Sequence, residues 1–124
     1  MNKAETRQNY LEAIYIISKQ KGYVRAIDIA EYLGFSRPTV SIAIRQFKEE
    51  GYIDTTANEI KLSEQGIMEA KKMYERHELI ADILMKLGVE RDIAYQDSCL
   101  IEHDLSDESF AAIKNFYNKI KETL

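Results

Sequence analysis

The sequence predicts a mainly α-helical chain carrying one small β-hairpin. Three observations carry that prediction. Apolar residues recur at helical spacing along most of the 124 residues. Gly22, Gly34, Gly51 and Gly88 fall where those periodic runs stop. Only one segment, "YIDTTANEIKLS", breaks into two short runs around a polar turn.

The elements follow in order. "AETRQNYLEAIYIISKQKG" sets Tyr10, Ile14 and Ile17 on one helical face, with Leu11 and Tyr15 beside them, and Gly22 ends it. "RAIDIAEYLGFSRPTVSIAIRQFKEEGY" reads as two short helices. The first covers about residues 26–33; Gly34 and Phe35 make the turn. Ser36 is a good N-cap, and Pro38 suits a first turn, where its missing N–H costs little. The second helix runs to about Glu50 and stops at Gly51. "YIDT" and "EIKLS" then flank "TAN" as a hairpin. Ser63 caps a long helix ending near Gly88, whose first turn Gly66 weakens. Another helix covers 90–103. Ser106 caps a last one, with Asp107 and Glu108 in its first turn.

Composition narrows the function classes. A lone cysteine cannot form an internal disulfide and suits a reducing compartment. "MNKAETRQNY" has no apolar run of a signal peptide, and no stretch approaches membrane-spanning length. The expectation is a soluble, cytoplasmic protein with no membrane partner. The net charge is −4, but it is unevenly spread. Residues 1–62 hold nine Lys/Arg against eight Asp/Glu, whereas residues 63–124 hold eight against thirteen. The first half can lie on a phosphate backbone that would repel the second.

Two short helices with a glycine turn, then a hairpin, describe a winged helix-turn-helix. Ile27, Ile29, Ala30, Leu33, Val40, Ile44 and Phe47 pack the pair together. Ser36, Arg37, Pro38, Thr39, Ser41 and Arg45 then occupy the N-terminal end and outer surface of the second helix, the part that enters a major groove. Thr55, Thr56, Asn58 and Lys61 form the wing over a neighbouring phosphate run. The bland alternative is a cap and a solvated face.

"DSCLIEHDLS" sets Cys99, Glu102 and His103 at i, i+3 and i+4, on one helical face. His77 sits on the long helix, and Asn9 and Glu12 stand at i and i+3 on the first. Thiolate, imidazole and carboxylate are a transition-metal donor set. Spacing alone leaves another reading open: Cys99 as core filler, His103 at a helix C-terminus, His77 as a satisfied polar group. No separate base, nucleophile or glycine-rich cradle is apparent, so the chain does not read as an enzyme.

"NYLEAIYII", "IAEYLGFSRPTVSIAIRQFKEEGYI", "LSEQG", "RHELIADIL" and "CLIEHDLS" together resemble the diphtheria-toxin-repressor family of metal-dependent transcription regulators, and its short manganese-transport-regulator branch above all. The resemblance implies a winged helix-turn-helix DNA-binding domain over 1–63 and a helical metal-binding and dimerisation domain over 64–124. It implies a homodimer on a palindromic double-stranded operator, repressing metal-uptake genes when Fe²⁺ or Mn²⁺ is bound. It carries Glu12, His77, Glu102 and His103 over as ligands. Two positions depart from the manganese branch. Asn9 stands where that branch has an aspartate, and Cys99 where it has a bridging glutamate. Cysteine there matches the iron-type branch, whose ancillary site is lost at Ala81 and Tyr95. Fewer bridging carboxylates favour one ion per subunit, with iron preferred, manganese second, and Zn²⁺ or Co²⁺ binding in vitro. The competing expectation is a metal-independent winged-helix regulator whose Cys/Glu/His cluster is structural.

Overall fold

A computed structural model describes residues 3–56 and 58–123, with side chains from Glu5 onward. Helices α1 (Lys3–Lys21), α2 (Ala26–Leu33), α3 (Arg37–Glu49), α4 (Glu64–Lys86), α5 (Arg91–Ile101) and α6 (Asp107–Ile120) are followed by a 3₁₀ turn (Lys121–Thr123). They fall into two compact units, Met1–Lys72 and Met73–Leu124.

In the first unit, α1 buries Tyr10, Ile14 and Ile17 against Ile29 and Ala30 of α2 and Val40, Ile44 and Phe47 of α3. The Tyr10 ring meets Phe47 edge-on, 5.3 Å between centroids. Asp28 fixes the start of α2. Its carboxylate accepts from the Arg25 backbone N–H at 3.0 Å and pairs with the Lys21 ammonium at 2.9 Å. Those contacts, Lys21 first, hold its pKa down at about 2. Gly34 adopts φ 74°, which lets its own N–H and that of Phe35 both reach the Ala30 carbonyl and turn the chain sharply. Ser36 caps α3 as expected: its Oγ accepts from the Thr39 N–H at 3.3 Å.

The hairpin is slighter than the sequence suggests. Among the described residues it is one antiparallel bridge, Ile53 to Leu62, with no extended strands. The Asp54 N–H donates to the Lys61 carbonyl and the Ser63 N–H to that of Tyr52. Pairing stops there because Asp54 turns its carboxylate onto the N–H and hydroxyl of Thr56, a local bond that competes with the ladder. The expected turn "TAN" includes Ala57, which lies outside the described residues.

Ser63 caps α4 as expected, accepting from Gly66 N–H at 3.1 Å while donating to the Gly51 carbonyl. Gly66 has a packing reason. A Cβ there would stand 2.1 Å from the Tyr52 carbonyl oxygen. Arg7 of α1 reaches Glu69 of α4 through Nε and a terminal nitrogen, at 3.2 and 3.1 Å.

In the second unit, α4 buries Met73, Arg76, Ile80 and Ala81, α5 buries Ala94 and Ser98, and α6 buries Phe110 and Tyr117. Tyr117 donates to Asp82, and Lys114 to Glu75, fastening α6 to α4. The helix expected over 90–103 ends at Ile101. Glu102 keeps helical dihedrals, but Arg76 takes the carbonyls of Glu102 at 3.1 Å and Leu105 at 2.7 Å. A guanidinium from another helix thus replaces the N–H donors that further turns of α5 would supply. Ile83, Leu87, Ala112, Ile113, Phe116 and Ile120 line an open apolar surface, with Leu87 and Phe116 well exposed.

Candidate metal centre and nucleic-acid interface

The centre is built around Glu102. Its carboxylate is completely buried, and neither oxygen accepts a hydrogen bond from the described residues. Two imidazoles face it instead. His77 Nδ1 stands 3.2 Å from one oxygen and His103 Nε2 3.6 Å from the other. One donor atom each from His77, Cys99 and Glu102 lie within 4.8 Å of one another.

Local folding explains this convergence. Cys99 and Glu102 are three residues apart at the end of α5, where helical geometry puts them on one face. His77 comes from α4, and the fully buried Ser98 donates its hydroxyl to the His77 carbonyl. Arg76, the residue before His77, holds the Glu102 carbonyl. Two backbone tethers therefore connect the elements that supply the three donors.

An ionised carboxylate out of water and without donors is costly, by several kcal/mol per ion. A divalent cation among a carboxylate, imidazoles and a thiol offsets that cost, and the donor set suits Fe²⁺, Co²⁺, Zn²⁺ or Mn²⁺. The residues present fit an ion.

Of the residues singled out in the sequence, His77, Cys99, Glu102 and His103 share the second unit and come together there. Glu12, buried, and Asn9, half-buried, lie on α1 in the first unit. Ala81 is fully buried, and the Tyr95 hydroxyl donates to Glu78 at 2.8 Å, which raises the phenol's pKa.

Ser36, Arg37, Pro38, Thr39, Ser41, Arg45 and Lys61 are all exposed. The first six lie at the cap and outer face of α3. Two residues with consequences were missed in the sequence. Arg76 looks like an ordinary helix charge, and only tertiary packing shows it buried. Ile42 breaks the polar face of α3, a signal that the helical period alone could have revealed.

Comparison with known proteins gives a consistent picture. Residues 4–59 match the family model described as iron dependent repressor, N-terminal DNA binding domain. Residues 63–123 match iron dependent repressor, metal binding and dimerisation domain. An uncharacterised HTH-type transcriptional regulator of Methanocaldococcus jannaschii is 30% identical over 122 residues, covering 96% of this chain and 98% of that protein. The HTH-type transcriptional regulator MntR of Bacillus subtilis is 32% identical over 116 residues, covering 93% and 82%. A manganese-dependent transcriptional repressor solved with manganese superposes with TM-score 0.79 at 29% identity. That alignment covers 90% of this chain and 52% of the other, so the chain spans about half the length of that solved relative.

Proposed function

The chain belongs to the iron-dependent repressor family, and we propose that it is a metal-activated repressor that binds a palindromic operator as a homodimer. The family is one of transcriptional repressors, not of enzymes. The observation that carries the metal reading is Glu102: a fully buried carboxylate without hydrogen-bond donors among the described residues, facing His77 and His103, with Cys99 within reach. His77, Cys99, Glu102 and His103 are the proposed ligands. The sequence resemblance adds Glu12 to the set, and Asn9, which stands where the manganese branch has an aspartate, is proposed beside it. When bound, the ion neutralises this cluster and favours whichever arrangement of the protein binds it better. Only that difference in affinity shifts the population toward operator binding.

The donor set orders the metals. Cys99 in place of a carboxylate favours Fe²⁺, Co²⁺ or Zn²⁺ over Mn²⁺, so Fe²⁺ is the first proposed signal and Mn²⁺ the second. One ion per subunit follows from the shortage of bridging carboxylates. Residues 1–63 are the proposed DNA-binding domain, with α3 in the major groove and residues 52–63 as a short wing. Residues 64–124 are the proposed metal-binding and dimerisation domain, its partner face the apolar surface around Phe116. No described helix is long and apolar enough to cross a membrane. A repressor meets its operator in the cytoplasm, which is the proposed location.

Operator binding measured anaerobically, with chelator and then with Fe²⁺, Mn²⁺ and Zn²⁺, tests the reading. Metal-dependent binding that Glu102→Gln abolishes is the expected result. Equal binding with chelator, and in the variant, would leave a metal-independent regulator and overturn the metal role. Loss of Fe²⁺ response but not Mn²⁺ response in Cys99→Ser is expected if the thiolate sets the preference.

A further inference from the structure

We propose that Ile42 reads a thymine methyl group in each half-site of the operator, making it a specificity-determining residue; this inference rests on the DNA-binding reading above. Ile42 is 63% exposed. It stands about 200° round α3 from Val40, at the centre of the face turned away from the core. Pro38, one turn before it, and Arg45, three residues after it, flank it on that face. Ser41 and Gln46 lie at its sides, both exposed. A branched aliphatic side chain therefore occupies the middle of this surface, which apart from Pro38 is polar.

The first unit's interior does not need this side chain. The buried stripe of α3 is Val40, Ile44 and Phe47, and Ile42 belongs neither to the core cluster nor to the residues packed against it. A β-branched residue at an exposed helix position is also mildly unfavourable compared with alanine. Its side chain has no hydrogen-bonding capacity, so it cannot read base donors or acceptors. In the major groove the apolar feature that distinguishes bases is the C5-methyl of thymine. The neighbouring Arg37, Ser41 and Arg45 can anchor phosphates or a guanine edge, leaving the centre of the helix face for a methyl contact.

Removing one buried methyl costs a factor of about four, and a symmetric dimer meets two, so about fifteenfold is expected in total. The test starts from an operator selected out of a random duplex pool with Fe²⁺-loaded wild-type protein. Each half-site thymine is then replaced by deoxyuridine, symmetrically, which removes only the methyl. At one position wild-type binding should fall about fifteenfold. Ile42→Ala should bind the thymine operator more weakly and be indifferent to that replacement. Wild-type binding unchanged at every thymine, or lost equally in both proteins, overturns the role of Ile42 while leaving the repressor reading intact. Failure to select any duplex overturns the DNA-binding reading itself, and the inference with it. Ile42→Ala should melt at or slightly above the wild-type temperature, which separates a reading defect from a folding defect.

Discussion

Arg76→Met removes a buried cation without greatly changing side-chain length. Arg76 is 3% exposed, and its guanidinium lies 5.0 Å from the centre of the Phe110 ring. It donates to the carbonyls of Glu102 and Leu105 and pairs with Asp107. The Asp107 side chain is 73% exposed, so water screens that pair and it adds little. The two carbonyl bonds dominate. Charged hydrogen bonds contribute roughly 1.5–3 kcal/mol each, so losing both costs about 3–6 kcal/mol. Urea unfolding of metal-free protein, at matched protein concentration because the proposed dimer links stability to it, should show a loss of that size. The turn carrying Glu102 and His103 also loosens. Residues that orient metal ligands typically change affinity about 10–100-fold, so chelator competition should show a loss in that range. One terminal nitrogen of Arg76 donates to both carbonyls, so Arg76→Lys, which keeps a charged donor but loses the planar geometry, should fall between. A variant as stable as wild type, with unchanged metal affinity, would refute the clamp.

Gly66→Ala should destabilise, although helix propensity alone predicts a gain of about 1 kcal/mol. The new Cβ would sit 2.1 Å from the Tyr52 carbonyl oxygen, and overpacking of that kind costs about 1–3 kcal/mol; a raised melting temperature would contradict the close approach. The Asp28 carboxyl, held at about 2 by Lys21 and Arg25, adds stability that is complete above the ordinary carboxylate range and is lost as pH falls through the folded value. Wild-type protein should therefore lose melting temperature faster than Asp28→Asn between about pH 5 and pH 2; parallel curves would remove the linkage. Phe116→Glu places a charge on the apolar face of α4 and α6, counted twice across a two-fold axis. Sedimentation should show a dimer weakened by about a thousandfold or more, from about 2 kcal/mol per lost phenyl contact. An unchanged dimer would move the interface elsewhere.

Much of the first unit was legible because its boundaries are local. Gly34 needs its left-handed dihedral, Ser36 caps through its own hydroxyl, and Pro38 fits a first turn; each acts within four residues. Ala26–Leu33 agrees with the expected span, and α3 ends one residue short of Glu50. The end of α5 was misread because its stop is not local. The residue that captures the carbonyls just past its end, Arg76, is 26 positions away from Glu102. Gly66 looked like a weakness because the obstacle, the Tyr52 carbonyl, lies outside its helix. The hairpin shrank to a bridge because Asp54 had a nearer partner in Thr56. In the site, helical spacing made Cys99 and Glu102 a pair. It could not bring His77 beside them, since that depends on how α4 packs on α5. His77 stood in the sequence only as a candidate donor on another helix, and resemblance to a family made it a ligand before packing could.

Charge placement gives a last quantitative check on the DNA-binding face. Arg37, Arg45 and Lys61 are exposed in the first unit, and the acidic excess lies in residues 63–124. Each phosphate neutralised by a cation releases bound counterions, so affinity falls with salt in proportion to the number of such contacts. Three cations per subunit make six in a dimer, for an expected slope of log K against log salt of about −5.4. Replacing Lys61 by alanine removes two contacts per dimer and should flatten the slope to about −3.6, with similar losses on all sequences. Ile42→Ala should leave the slope unchanged, because a methyl contact displaces no ions. A slope near zero in the wild-type protein would mean that these three side chains do not meet phosphates, and that α3 faces something other than a duplex.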